Sequence, residues 1–297
     1  MSTAFSPQET NEPEATPGGS IISDLLVAAC ILGGGYLMIT GLGMIAYRLY
    51  GAAPSMVAMH CLIAMIPLLY FLTRPHHGNG VVPTMTSSEL ADRKVSVGFC
   101  IATFCIIIPI AVLGYNSMRN AKYDEYTTSA LIALTIASCI AAPIAEELLW
   151  RKMAYRLFYR RALHSQYPAV LAYTMLITVP VAFGLAHNNT FQAVMVIPLS
   201  LLLTALYMVT KNVKLTIAIH VLYNACYTVL TPMLRPTFDT LDRDTAQYIW
   251  VGGMALAIVC VVYVLATLKP GIVRDVAAFG TLPEPQPKPH APVAPAA

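Results

Sequence analysis

Hydrophobic blocks about as long as a bilayer is thick recur along this chain, and they constrain its fold before any single residue does. About 20 apolar residues of helix cross a hydrocarbon core, and helices satisfy their own backbone hydrogen bonds in lipid. Eight such blocks are present, at about 24–46, 52–72, 95–114, 127–150, 168–187, 190–209, 213–231 and 245–268. The chain is 57% hydrophobic and 11% charged, against about a quarter charged in an ordinary soluble domain. The expectation is an all-α polytopic membrane protein, a bundle of about eight transmembrane helices with no nucleic-acid partner.

The flanks differ from the blocks. Residues 1–20 are acidic and rich in Pro, Ser and Thr, without the basic stretch that opens a cleavable signal peptide, so the first helix is expected to be retained. Residues 269–297 end in a Pro/Ala-rich run expected to be disordered, leaving 21–268 as the membrane domain. With eight spans both termini share a side. That side holds thirteen Lys and Arg residues, including the cluster Arg151, Lys152, Arg156, Arg160 and Arg161, and the other holds five. Positive charge stays inside, so both termini are expected in the cytoplasm, in the plasma membrane of a bacterium. The basic, aromatic run RKMAYRLFYRRALH after the fourth block suits an anionic leaflet. All seven cysteines sit inside apolar blocks and read as small buried hydrophobes.

Against this background the adjacent Glu146 and Glu147 stand out, because a carboxylate at bilayer depth costs roughly 2.5–3.5 kcal/mol and faces a cavity or a partner. In AEELLWR, Glu147 and Arg151 are four residues apart on one helix face, acid before base. Glu146 points about 100° away, where partial desolvation suits a general base. Phe183 and His187 share a face in FGLAH, as do His220 and Asn224 in HVLYN. Carboxylate, two imidazoles and a carboxamide can activate a water and stabilise an oxyanion, with or without a metal. HExxH and GxSxG are absent, which favours an activated water over a covalent nucleophile. His60 has no polar helical neighbour and reads as structural.

These three clusters, in order on separate helices, resemble the CPBP family of intramembrane proteases, which includes the type II CAAX prenyl endopeptidases and the bacteriocin-processing or Abi proteins. The family's EExxxR reads here as Glu146-Glu147-Leu-Leu-Trp-Arg151, its FxxxH as Phe183 to His187 and its HxxxN as His220 to Asn224. The resemblance covers roughly 127–231 and implies hydrolysis of a peptide bond of a membrane-associated substrate in an intramembrane chamber. By the same resemblance Glu146 is the base, helped by His187, while His220 and Asn224 stabilise the oxyanion. Glu147, Arg151 and Phe183 are supports. Glu146, His187 and His220 are the candidate ligands if a divalent metal such as zinc is used; the residues leave that open, as they do the oligomeric state. Many members carry a small residue after the arginine, whereas this chain has Lys152.

The spacing poses a geometric difficulty. At 1.5 Å per residue, straight vertical helices would leave His220 roughly 25 Å nearer the cytoplasm than His187. A shared site therefore requires tilt, a bend near Pro180 or Pro198, or a connection after His187 that dips into the bundle, and the dip is the expectation. Two other functions fit a polar cluster in a greasy bundle: a non-catalytic scaffold that binds a membrane partner, which degenerate motifs would favour and the intact ones here count against, and a carrier with a proton relay, which calls for a repeat symmetry that the two halves do not show.

Overall fold

The computed structural model describes residues 21–50, 83–119, 135–187 and 190–281, and its elements are helices. In chain order they are α1 (Ile21–Tyr50), α2 (Ser87–Met118), the composite α3 (137–162), α4 (Pro168–Leu185), α5 (Thr190–Thr210), α6 (Val213–Phe238) and α7 (Arg243–Ala278). Their starts carry the chemistry that orphan N–H groups demand. Thr86 Oγ1 accepts from the Glu89 N–H at 3.2 Å while Glu89 Oε2 accepts from the Thr86 N–H at 2.7 Å, a reciprocal capping box. Asn212 accepts from the Lys214 N–H at 3.1 Å, and Asp242 from the Thr245 N–H at 2.9 Å. α4 opens on Pro168, whose missing N–H costs nothing in a first turn.

Five helices among the described residues are long and apolar enough to cross a membrane: Ser96–Met118, Pro168–Leu185, Thr190–Thr210, Val213–Phe238 and Arg243–Ala278. The first expected block falls within α1, where Ile21–Cys30 forms a shorter apolar stretch. The block at 52–72, with His60, lies outside the described residues, as do the start of the block at 127–150 and both expected tails up to 20 and from 282.

α5 is the core of the bundle. Leu199, Leu203, Ala205, Met208 and Val209 are fully buried on different sides of it, as expected of a helix covered all round. α2 and α7 run antiparallel, tied by Arg93 Nη1 donating to the Thr267 carbonyl at 2.7 Å and by a Glu89–Arg274 ion pair at 2.9 Å. At the other end a Cβ on Gly114 would lie 2.9 Å from the Ala246 carbonyl oxygen, so that crossing depends on a residue without one.

α3 is built in pieces. The π segments Ala137–Ala141 and Leu148–Met153 flank the short α segment Ala142–Glu147, and Ala154–Ala162 completes the rod. Pro143 has no N–H to give and its ring opposes an ordinary i→i−4 turn, so the wide turn before it absorbs the conflict. The glutamate pair thus stands on one α turn between two widened ones.

One expectation changes: α7 does not end near 268. It continues through Pro270 to Ala278, because Asp275 is buried there, paired with Lys211 and accepting from the Tyr155 hydroxyl at 2.9 Å.

Candidate active site

The sequence puts Glu147 and Arg151 one helical turn apart, and the fold closes them into a pair at 3.2 Å with both side chains fully buried. The guanidinium is held from two further directions. Its Nη2 donates to Ser200 Oγ of α5 at 2.9 Å, and its Cζ lies 4.8 Å above the Phe183 ring of α4. Arg151 therefore joins three helices at the level of the glutamates. Removing one partner of such a buried pair typically costs about 3–5 kcal/mol, because the other charge is left uncompensated.

Glu147 also reaches across to α6. Its Oε1 lies 2.9 Å from His220 Nδ1, and since a carboxylate only accepts, Nδ1–H is the donor. That leaves His220 Nε2 facing Glu146, whose Oε2 is 3.7 Å away. One imidazole is thus flanked by both glutamates. Glu147 is sealed, while the Glu146 side chain keeps 15% exposure and so borders open space.

Phe183 is the hinge of the arrangement. Its ring meets the imidazole of His187 edge-on at 5.0 Å and that of His220 at 5.9 Å, with Trp150 at 6.3 Å. Both histidines therefore flank one phenyl ring, and the separation that vertical helices would impose is closed within the bundle. Residues 188 and 189, at the expected dip, lie outside the described residues. His187 Nδ1 lies 2.9 Å from the Phe183 carbonyl, which can only accept, so Nε2 is its remaining nitrogen.

Asn224 sits one turn beyond His220. Its Nδ2 donates at 2.7 Å to the carbonyl of Ser138, in the first π segment of α3. That carbonyl is an unforeseen partner, created by the widened turn. Ser200 was equally hidden, because a hydroxyl inside an apolar helix usually satisfies itself on its own backbone and carries little signal.

Glu146, His187 and His220 do not assemble into a metal site: among the described residues no three His, Cys, Asp or Glu side chains converge as ligands. A catalytic zinc takes three protein ligands, and two histidines with a glutamate are the right types for one, but these three are not drawn together as ligands.

Residues 128–226 match the family model described as type II CAAX prenyl endopeptidase Rce1-like. The chain carries an Rce1-like domain, in accord with the CPBP resemblance. The matched segment contains Glu146, Glu147, Arg151, Phe183, His187, His220 and Asn224. Comparison with curated proteins and with solved structures gave no match. Its apolar helices and this match support an integral membrane protein that is similar to CAAX-type proteases over the matched segment.

Proposed function

We propose that this protein is an intramembrane endopeptidase that hydrolyses a peptide bond of a membrane-associated substrate with a water activated by Glu146 and His220. The observation that carries the reading is the imidazole of His220 between two carboxylates, bonded to the buried Glu147 at 2.9 Å and 3.7 Å from the partly open Glu146. Glu147 fixes the ring and its tautomer, and Arg151 fixes Glu147. Nε2 and the Glu146 carboxylate are then two proton acceptors on one side of the cluster. A water between them gives a proton to Glu146 as it attacks the scissile carbonyl, and the acid so formed returns that proton to the departing amine.

The resemblance alone makes His187 the helper of Glu146 and pairs His220 with Asn224. The distances favour His220 in the first role. Asn224 has two amide hydrogens; one is given to Ser138, and the other serves the developing oxyanion. His187, with Nδ1 held by the Phe183 carbonyl, closes the far side of the chamber. The substrate is a CAAX-type terminus or a short membrane-bound peptide, and the chamber opens to the cytoplasm, the side on which the positive charge places both termini. The host membrane is the bacterial plasma membrane.

The test compares wild type with Glu146→Gln, purified in detergent, on a library of membrane-anchored peptides. The expected result is cleavage by wild type and a loss of about 10²–10⁴-fold in the variant, the usual contribution of a general base. Undiminished cleavage in the variant would refute the assigned base. No cleavage by either protein, with a membrane protein retained on purification, would replace the peptidase with a scaffold.

A further inference from the structure

α5 has two faces with different neighbours. Ala193 and Ile197 abut Gly184 of α4, and Ser200 holds Arg151. At 100° per residue, Phe191 and Met195 lie on the opposite side, with Val194 on the flank between. There they line a cavity of about 930 Å³ shared with Tyr115 and Arg119 at the end of α2 and with Trp250 of α7. The size falls in the range of small-molecule sites, about 300–1,000 Å³.

The lining is graded. Arg119 and Thr190 stand at helix ends, whereas Met195 and Trp250 lie one to two turns inside their helices. Tyr115 stacks on Phe191 at 3.8 Å and approaches Trp250 at 5.6 Å, which makes an aromatic wall. Arg119 is exposed, but its guanidinium is fixed: Nη1 donates to the Tyr115 hydroxyl at 2.8 Å, and Cζ lies 5.7 Å from the ring centroid. The first turn of α5 opens at the same rim, so the positive end of a 21-residue helix adds to the Arg119 charge. Deeper in, the Trp250 ring forms part of the wall.

We propose that this cavity binds one anionic phospholipid. Its phosphate rests against Arg119 and the α5 N-terminus, and an acyl chain lies along Tyr115, Phe191 and Trp250. An apolar tail alone would explain the aromatic wall, but not the fixed cation at the rim.

The chain has two tryptophans, Trp150 and Trp250, so Trp150→Phe leaves Trp250 as the only indole reporter. The full-length Trp150→Phe protein is reconstituted in phosphatidylcholine vesicles with increasing brominated phosphatidylglycerol, or brominated phosphatidylcholine as the control. The expected result is quenching at an about tenfold lower mole fraction with the anionic lipid, the size of one charge-assisted contact. Adding Arg119→Gln removes that preference, and adding Val194→Phe, which fills the cavity, lowers the quenching by both lipids. Equal quenching by the two lipids in the parent, or an unchanged preference in Arg119→Gln, overturns the proposal.

Discussion

Arg151 shows how one side chain couples the stability of this protein to its chemistry. Its guanidinium is buried and met by Glu147, Ser200 and the Phe183 ring. Glu147 in turn holds His220. Arg151→Met should therefore act twice: it leaves Glu147 an unpaired buried charge, costing about 3–5 kcal/mol, and it frees the carboxylate that orients the imidazole. Denaturation in mild detergent should register the first effect and peptide cleavage the second. Arg151→Lys should restore only part of either, since an ammonium cannot reach Glu147 and Ser200 with a planar fork. The Glu147–Arg151 pairing was legible in the sequence, because helical spacing alone puts them on one face. Their further partners were not, because Ser200 and His220 come from helices whose rotations depend on packing.

Among the elements, α2 and α7 show a different division. The Thr86–Glu89 capping box is written in four consecutive residues, TSSE, and the helix starts where that chemistry places it. The fold then adds Arg274 of α7. The Thr86 N–H, followed by the Arg274 guanidinium, holds the exposed Glu89 carboxyl at about 2, well below its ordinary value near 4.5. A carboxyl whose folded value is depressed contributes stability above the ordinary value and loses it as pH falls through the folded one. Thermal unfolding followed by circular dichroism should show wild type losing stability relative to Glu89→Gln between about pH 4.5 and pH 2. A constant difference across that window would remove Glu89 from the account. In α3 the local reading had less reach. Nothing in the local sequence told that a widened turn before Pro143 would present the Ser138 carbonyl to Asn224.

For the whole molecule, the far end of α7 matters most. Asp275 bonds Lys211 and the Tyr155 hydroxyl, and Lys211 Nζ also lies 4.3 Å from the Tyr155 ring centroid. Lys211 occupies a left-handed backbone conformation, φ 52°, in the turn between α5 and α6, immediately before the Asn212 cap of the helix that carries His220. The C-terminal turns of α7 thus brace the turn that leads into the helix carrying His220. Asp275→Leu alone should destabilise by about 3–5 kcal/mol, whereas Asp275→Leu with Lys211→Met should recover most of the loss, as removing both partners of a buried pair usually does. A double variant no better than the single one, by the same detergent denaturation, would assign the brace instead to Phe279, whose buried ring meets Tyr155 and Tyr159 edge-on. The sequence by itself determined that this is a helical membrane protein, where most of the described helices begin, and which ionisable side chains fall inside its apolar blocks. Length, apolarity and spacing are local properties, and lipid permits few other solutions. Only the tertiary structure decided that both histidines flank Phe183, that Glu147 serves Arg151 and His220 together, and that α7 runs on past Pro270 to bury Asp275. Those outcomes depend on how helices tilt and rotate against one another, which is set by side chains far apart in the chain.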